Sequence, residues 1–78
     1  MTEHDVIDLR GVQCPANAAK ALIKLSTLDK GCELEIIVDE GEPYENVKSS
    51  ISVEDAYELV KEDKTGKDFW TLTYKVIA

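Results

Sequence analysis

The stretch Asp8-Leu9-Arg10-Gly11-Val12-Gln13-Cys14-Pro15 constrains this chain more than any other. Val6-Ile7-Asp8-Leu9 reads as a short strand, because valine and isoleucine favour extended backbone, and Arg10-Gly11 ends it. Thr2 to Asp5 reads as a ragged lead-in. Pro15 fits the first helical position, where its missing N–H is not needed. Cys14 is then the N-cap or stands immediately beside it. A helix is predicted from Pro15 to Leu28: Ala18, Ala21, Leu22, Leu25 and Leu28 recur at helical spacing and form one apolar stripe. Lys20 and Lys24 sit at its edge. Asp29-Lys30-Gly31 closes it, with the glycine suited to a left-handed cap.

Cys32 to Asp39 is the clearest strand. Leu34, Ile36 and Val38 share one face, and Glu33, Glu35 and Ile37 the other. Strand, helix and strand with short connections make a right-handed crossover, which implies that the two strands are parallel. Glu40-Gly41-Glu42-Pro43 is a turn. Two readings of the next segment stand open. In one, Ser52 to Lys61 is a helix with Val53, Ala56, Tyr57 and Val60 on one face. In the other, a short helix at Tyr44 to Ser52 carries Val47 and Ile51, and a strand follows from Ala56 to Glu62, with Tyr57 and Leu59 on one side and Val60 as an imperfection. Asp63 to Lys67 is a turn. Phe69 to Ile77 alternates as a strong final strand, and a hairpin across Gly66 gives it a neighbour.

Length and charge bound the rest. The chain has 78 residues, which make one domain, and a chain of this size buries only about 60% of its extended surface. Its 44% hydrophobic content suits a globular fold. No stretch approaches the roughly 20 apolar residues of a membrane span. The acidic beginning does not read as a secretory signal, so a cytoplasmic location is expected. The net charge of −7 argues against gripping nucleic acid or an anionic membrane and reads as solubility. Asp39-Glu40-Glu42 and Glu54-Asp55 lack the pattern of a calcium loop and read as solvated surface. Trp70, Tyr57, Tyr74 and Phe69 read as core or sheet-face residues. No phosphate loop, dinucleotide fingerprint or Ser-His-Asp set is present, and neither cofactor nor metal is expected.

The two cysteines, Cys14 and Cys32, read as free thiols. They are too few for a disulfide scaffold or a zinc site, since the only histidine is His4 in the lead-in. A helix N-terminus carries unpaired N–H groups and the positive end of the helix dipole. Both favour thiolate, so Cys14 is a candidate nucleophile. Ala16 and Asn17 are the nearest donors, and the Asn17 side chain is placed to add another. Arg10 either brings positive charge to the same turn or pairs with Asp8. The opposing reading makes Cys14 an ordinary small packing residue. Cys32 reads as packing, or else as a second relay thiol. A 14-residue helix is roughly 20 Å long, which keeps the two cysteines apart and weakens a two-cysteine redox scheme.

The motif Asp8-Leu9-Arg10-Gly11-x-x-Cys14-Pro15 resembles the signature of the TusA/SirA-like family of small sulfur-carrier proteins, and the resemblance extends over nearly the whole chain. It implies a two-layer α/β sandwich, β-α-β-α-β-β, with two helices on one face of a mixed four-stranded sheet. That favours the short helix at Tyr44 to Ser52 and a strand after it. By the same resemblance Cys14 accepts sulfane sulfur as a persulfide and passes it on, acting as a carrier rather than a turnover enzyme. Asp8, Arg10 and Gly11 shape the loop, Pro15 sets the helix start, and Ala16 and Asn17 belong to its first turn. The implied partners are a sulfur-donor protein, such as a cysteine desulfurase, and an acceptor protein. Pathways known in the family include transfer RNA thiolation, sulfur oxidation and molybdenum-cofactor synthesis. Where the family continues Cys-Pro-x-Pro, this chain has Cys-Pro-Ala-Asn. That turn is expected to face a docking partner, so Asn17 is where partner and pathway are expected to differ. The departure also motivates a rival reading, a non-catalytic interaction or regulatory domain of the same fold.

Overall fold

Strict alternation in β2 (Glu33–Asp39) sends Leu34, Ile36 and Val38 to one side, and all three are completely buried. The computed structural model describes residues 4–13 and 15–78, and β2 lies inside its sheet. β1 (His4–Asp8) pairs with it in parallel, with Asp8 opposite Ile37. β4 (Phe69–Val76) pairs with it antiparallel on the other side, and β3 (Tyr57–Asp63) takes the far edge, giving the order β1-β2-β4-β3. The helices α1 (Ala16–Ser26) and α2 (Glu42–Ser52) cover one face. This is the β-α-β-α-β-β sandwich implied by the motif, with its mixed four-stranded sheet.

The core lies between the layers. Ala21 and Leu25 from α1 and Val47 and Ile51 from α2 meet Leu34, Ile36, Val38, Leu72 and Tyr74 from the sheet. A fully buried leucine or isoleucine contributes about 1.5–3 kcal/mol through the water it sheds. The small alanines at positions 18 and 21 leave room for α1 to lie close. Burial pushes the Tyr74 phenol up to about 12, with the Glu62 charge adding to it, so Tyr74 stays neutral.

Several boundaries differ from expectation. β1 begins at His4, whose ring lies beside Glu35 at 3.1 Å, so His4 and Asp5 of the expected lead-in are already strand, while Thr2 and Glu3 lie outside the described residues. α1 ends at Ser26 and not at Leu28. The Thr27 N–H and hydroxyl both donate to the Lys24 carbonyl, which tightens the last turn. Gly31 does take positive φ, but as the lead-in to β2, where its N–H donates to the Val76 carbonyl. α2 starts at Glu42, two residues early, because Pro43 is tolerated within a first turn. The segment from Tyr57 is a strand, so the helical reading of Ser52 to Lys61 does not hold. Val53, which that helix needed on its inner face, is 77% exposed.

Val60 is a bulge. Leu59 faces Tyr74 and Lys61 faces Thr73, leaving Val60 without a partner. The extra residue reverses the alternation behind it, so Glu62 turns to the helix layer. There it accepts from Lys48 Nζ at 3.0 Å, and Lys48 also donates to the Tyr44 hydroxyl. Tyr44 in turn stacks on Trp70, with ring centroids 4.5 Å apart. Among the described residues no helix is long and apolar enough to cross a membrane.

Ile36→Ala removes a side chain from the middle of this core. It is expected to lower unfolding free energy by about 2–5 kcal/mol in a urea titration. A loss near zero contradicts the packing described.

Candidate functional site

From Leu9 to Val12 the loop after β1 is tied down at every amide. Leu9 N–H donates to the Ile37 carbonyl at 2.7 Å, which extends the parallel pairing one residue past Asp8. The Leu9 side chain is buried in the core. Val12 N–H donates back to the Leu9 carbonyl at 3.1 Å and closes a four-residue turn. Gly11 occupies its third place with φ of 79°, which side-chain-bearing residues rarely adopt. Arg10 N–H donates to Asp8 Oδ1 at 3.0 Å, and Gly11 N–H donates to Asp39 Oδ2 at 2.7 Å. Each N–H from Leu9 to Val12 therefore has an acceptor.

Arg10 completes the clamp. Its Nε lies 3.0 Å from Asp8 Oδ1 and its Nη2 lies 2.8 Å from Asp8 Oδ2, a two-point grip on the carboxylate. The guanidinium carbon lies 4.7 Å from the centre of the Phe69 ring. Phe69 opens β4 opposite Asp39, and Gly66 makes space for its ring, since a methyl group there would overlap it. The hydrogen bond from the Arg10 side chain, followed by the one from its backbone, holds the Asp8 carboxyl down at about 2. Asp8, first by hydrogen bonding and then by its charge, raises the Arg10 guanidinium in turn. Of the two roles open to Arg10, the structure takes the pairing with Asp8.

Gln13, Pro15 and Ala16 are exposed, while Cys14, the predicted nucleophile, lies outside the described residues. Pro15 stands at the N-cap of α1 with φ −92° and ψ 5°, one place earlier than expected, and makes no side-chain cap. Asn17 N–H donates to the Gln13 carbonyl at 3.1 Å, so that donor is already engaged. The first turn of α1 holds no acidic residue, whereas that of α2 holds Glu42 and Glu45.

Asn17 corrects a second expectation. It does not face outward toward a partner: it is completely buried. Asn17, Ala21 and Leu25 are four residues apart and form the innermost line of α1. The side-chain Oδ1 accepts from the Ala18 N–H at 2.7 Å. Its Nδ2 has no hydrogen-bond partner among the described residues. The i, i+4 spacing was visible in the sequence and placed Asn17 on this line.

Asp39 and Phe69 join the site without having been read as part of it. From the sequence Asp39 reads as solvated surface, whereas its carboxylate accepts from the Gly11 N–H. The parallel register carries the signal: with Asp8 opposite Ile37, the residue two further along β2 is level with the turn. Cys32 stands at the other end of β2, free and buried. Its N–H donates to Asp29 and its carbonyl accepts from Val76, as a packing residue. Among the described residues no group of His, Cys, Asp or Glu is arranged to hold a metal.

A family model described as "Sulfurtransferase TusA" matches residues 5–76. The chain belongs to the TusA family. A protein of Archaeoglobus fulgidus named "Putative sulfur carrier protein" is 28% identical to this TusA-family chain over 72 residues, covering 92% of this chain and 81% of that protein. The clamp of Asp8, Arg10 and Gly11 thus lies inside the matched span of the TusA family, as does the start of α1.

The Asp8 clamp makes stability depend on acid. A carboxyl held below its ordinary 3.8 stabilises the fold above that pH, and the contribution disappears as pH falls toward about 2. Arg10→Ala is expected to return the Asp8 midpoint toward 3.8 in a carbon-detected NMR titration. The wild-type advantage over this variant should be full above pH ~4 and vanish near pH ~2. An unmoved Asp8 midpoint contradicts the clamp.

Proposed function

We propose that this protein is a sulfur carrier that holds sulfane sulfur as a persulfide on Cys14. The reading is supported by membership of the TusA family and by a pinned turn shortly before Cys14, followed by a first turn of α1 that carries no acidic residue. The printed name of the Archaeoglobus fulgidus relative points to the same role. In the transfer, the Cys14 thiolate attacks the outer sulfur of a donor persulfide. The donor's S–S bond breaks, its thiolate leaves, and Cys14-S-SH forms. An acceptor thiolate removes the outer sulfur by the same exchange and regenerates the Cys14 thiolate. Sulfur moves without net oxidation, and the step needs neither metal nor external reductant. The donor is a persulfide-bearing protein such as a cysteine desulfurase, and the acceptor is the next protein of a sulfur-transfer pathway.

The helix start supports the attacking form of the thiol. α1 offers a dipole whose first turn has no carboxylate to oppose a thiolate. Arg10 contributes to the shape of the turn through Asp8 and Phe69. Asn17 is buried, so the departure from Cys-Pro-x-Pro is not itself a change of docking surface.

After incubation with a competent persulfide donor, the intact mass should rise by about 32 Da, one sulfur atom. Cys14→Ala is expected to show no gain and Cys32→Ala the full gain. Sulfur retained by Cys14→Ala, or none taken by wild type from a donor that loads a control carrier, contradicts the proposal.

A further inference from the structure

We infer that Asp39 is a positioning residue for sulfur transfer, acting through the Gly11 N–H. This rests on the carrier reading of Cys14. Leu9 is fixed by the sheet and by its burial, but Gly11 lies beyond that anchor and has the freest backbone of the turn. In a turn closed from Val12 to Leu9, the amide at the third position points away from the closing bond. The amide is exposed, so water could satisfy it, and the Asp39 carboxylate instead fixes it at 2.7 Å from 28 residues away in the chain.

The geometry comes from the parallel pair. Asp8 lies opposite Ile37, and Asp39 is the last residue of β2. β2 therefore holds the turn at two points, by the Ile37 carbonyl on Leu9 and by the Asp39 carboxylate on Gly11. Gly11 is three residues before Cys14 in the chain. With Gly11 released, the turn keeps its local closures, Val12 to Leu9 and Arg10 to Asp8, and loses the tie that fixes it against the end of β2. What Asp39 supplies is an acceptor at a fixed reach. An asparagine has the same reach with no charge, and a glutamate has the charge one methylene too far out.

The test compares Asp39→Ala, Asp39→Asn and Asp39→Glu in the full chain. Two rates are read on Cys14 by mass spectrometry: sulfur loading from a cysteine desulfurase charged with persulfide, and alkylation by iodoacetamide. Exchange of the Gly11 amide is followed by NMR. Asp39→Ala and Asp39→Glu should lose Gly11 protection and slow loading by about 10- to 100-fold, the cost of misplacing a reacting group by roughly 1 Å. Asp39→Asn should keep both near wild type. Alkylation by free iodoacetamide, which needs no docked geometry, should change by less than loading does. Loading by Asp39→Ala at the wild-type rate overturns the proposal. So does a fast Asp39→Glu with a slow Asp39→Asn, which assigns the effect to charge. If Asp39→Ala does not fold, the contrast between asparagine and glutamate decides. If wild type takes no sulfur, the carrier reading fails, while exchange of the Gly11 amide in Asp39→Ala still reports whether Asp39 holds the turn.

Discussion

The parallel pairing of β1 with β2 is the constraint on which the rest of the molecule depends. Parallel neighbours require a crossover, so the chain must leave β1, return as α1 and enter β2 from the same end as β1. The turn that begins the crossover is thereby placed beside the last residues of β2. Leu9 carries the pairing one residue further and buries its side chain, so the turn starts from a fixed point. β4 runs the opposite way and begins at that end, which puts Phe69 level with Asp39 and under Arg10. One pairing register thus assembles three strands around the segment that precedes Cys14.

Electrostatics around the helix start sharpen the account. The chain carries a net charge of −7, yet the first turn of α1 has no acidic residue. A negative group at a helix N-terminus gains about 0.3–1 kcal/mol from the dipole. Arg10 is paired with Asp8, which limits what its charge adds. The dipole and the absence of a carboxylate in the first turn both favour thiolate, the form in which a carrier takes and releases sulfur.

The sandwich was legible because its elements obey simple periods. Leu34, Ile36 and Val38 announce β2, and the alanine and leucine stripe announces α1. Ser52 to Lys61 was ambiguous because Val53, Ala56, Tyr57 and Val60 also fit a helical period. The bulge at Val60 produced that pattern by breaking strand alternation, and only the packing of Tyr57 and Leu59 against the core separates the two. At the site, Asp8, Arg10 and Gly11 were visible as a local motif. Asp39 was not, because its contact with Gly11 depends on strand register across 28 residues. The comparison with Cys-Pro-x-Pro puts Asn17 in a turn expected to face a partner, while its spacing to Ala21 and Leu25 places the side chain inside.

The pH dependence of Cys14 alkylation tests the central claim most directly, that the turn and the start of α1 present this residue as a usable thiolate. Rates are measured in Cys32→Ala, so that one thiol reports. The account predicts a midpoint below the ordinary thiol value of about 8.5. A midpoint at or above about 8.5 contradicts it, because Cys14 would then be an ordinary cysteine.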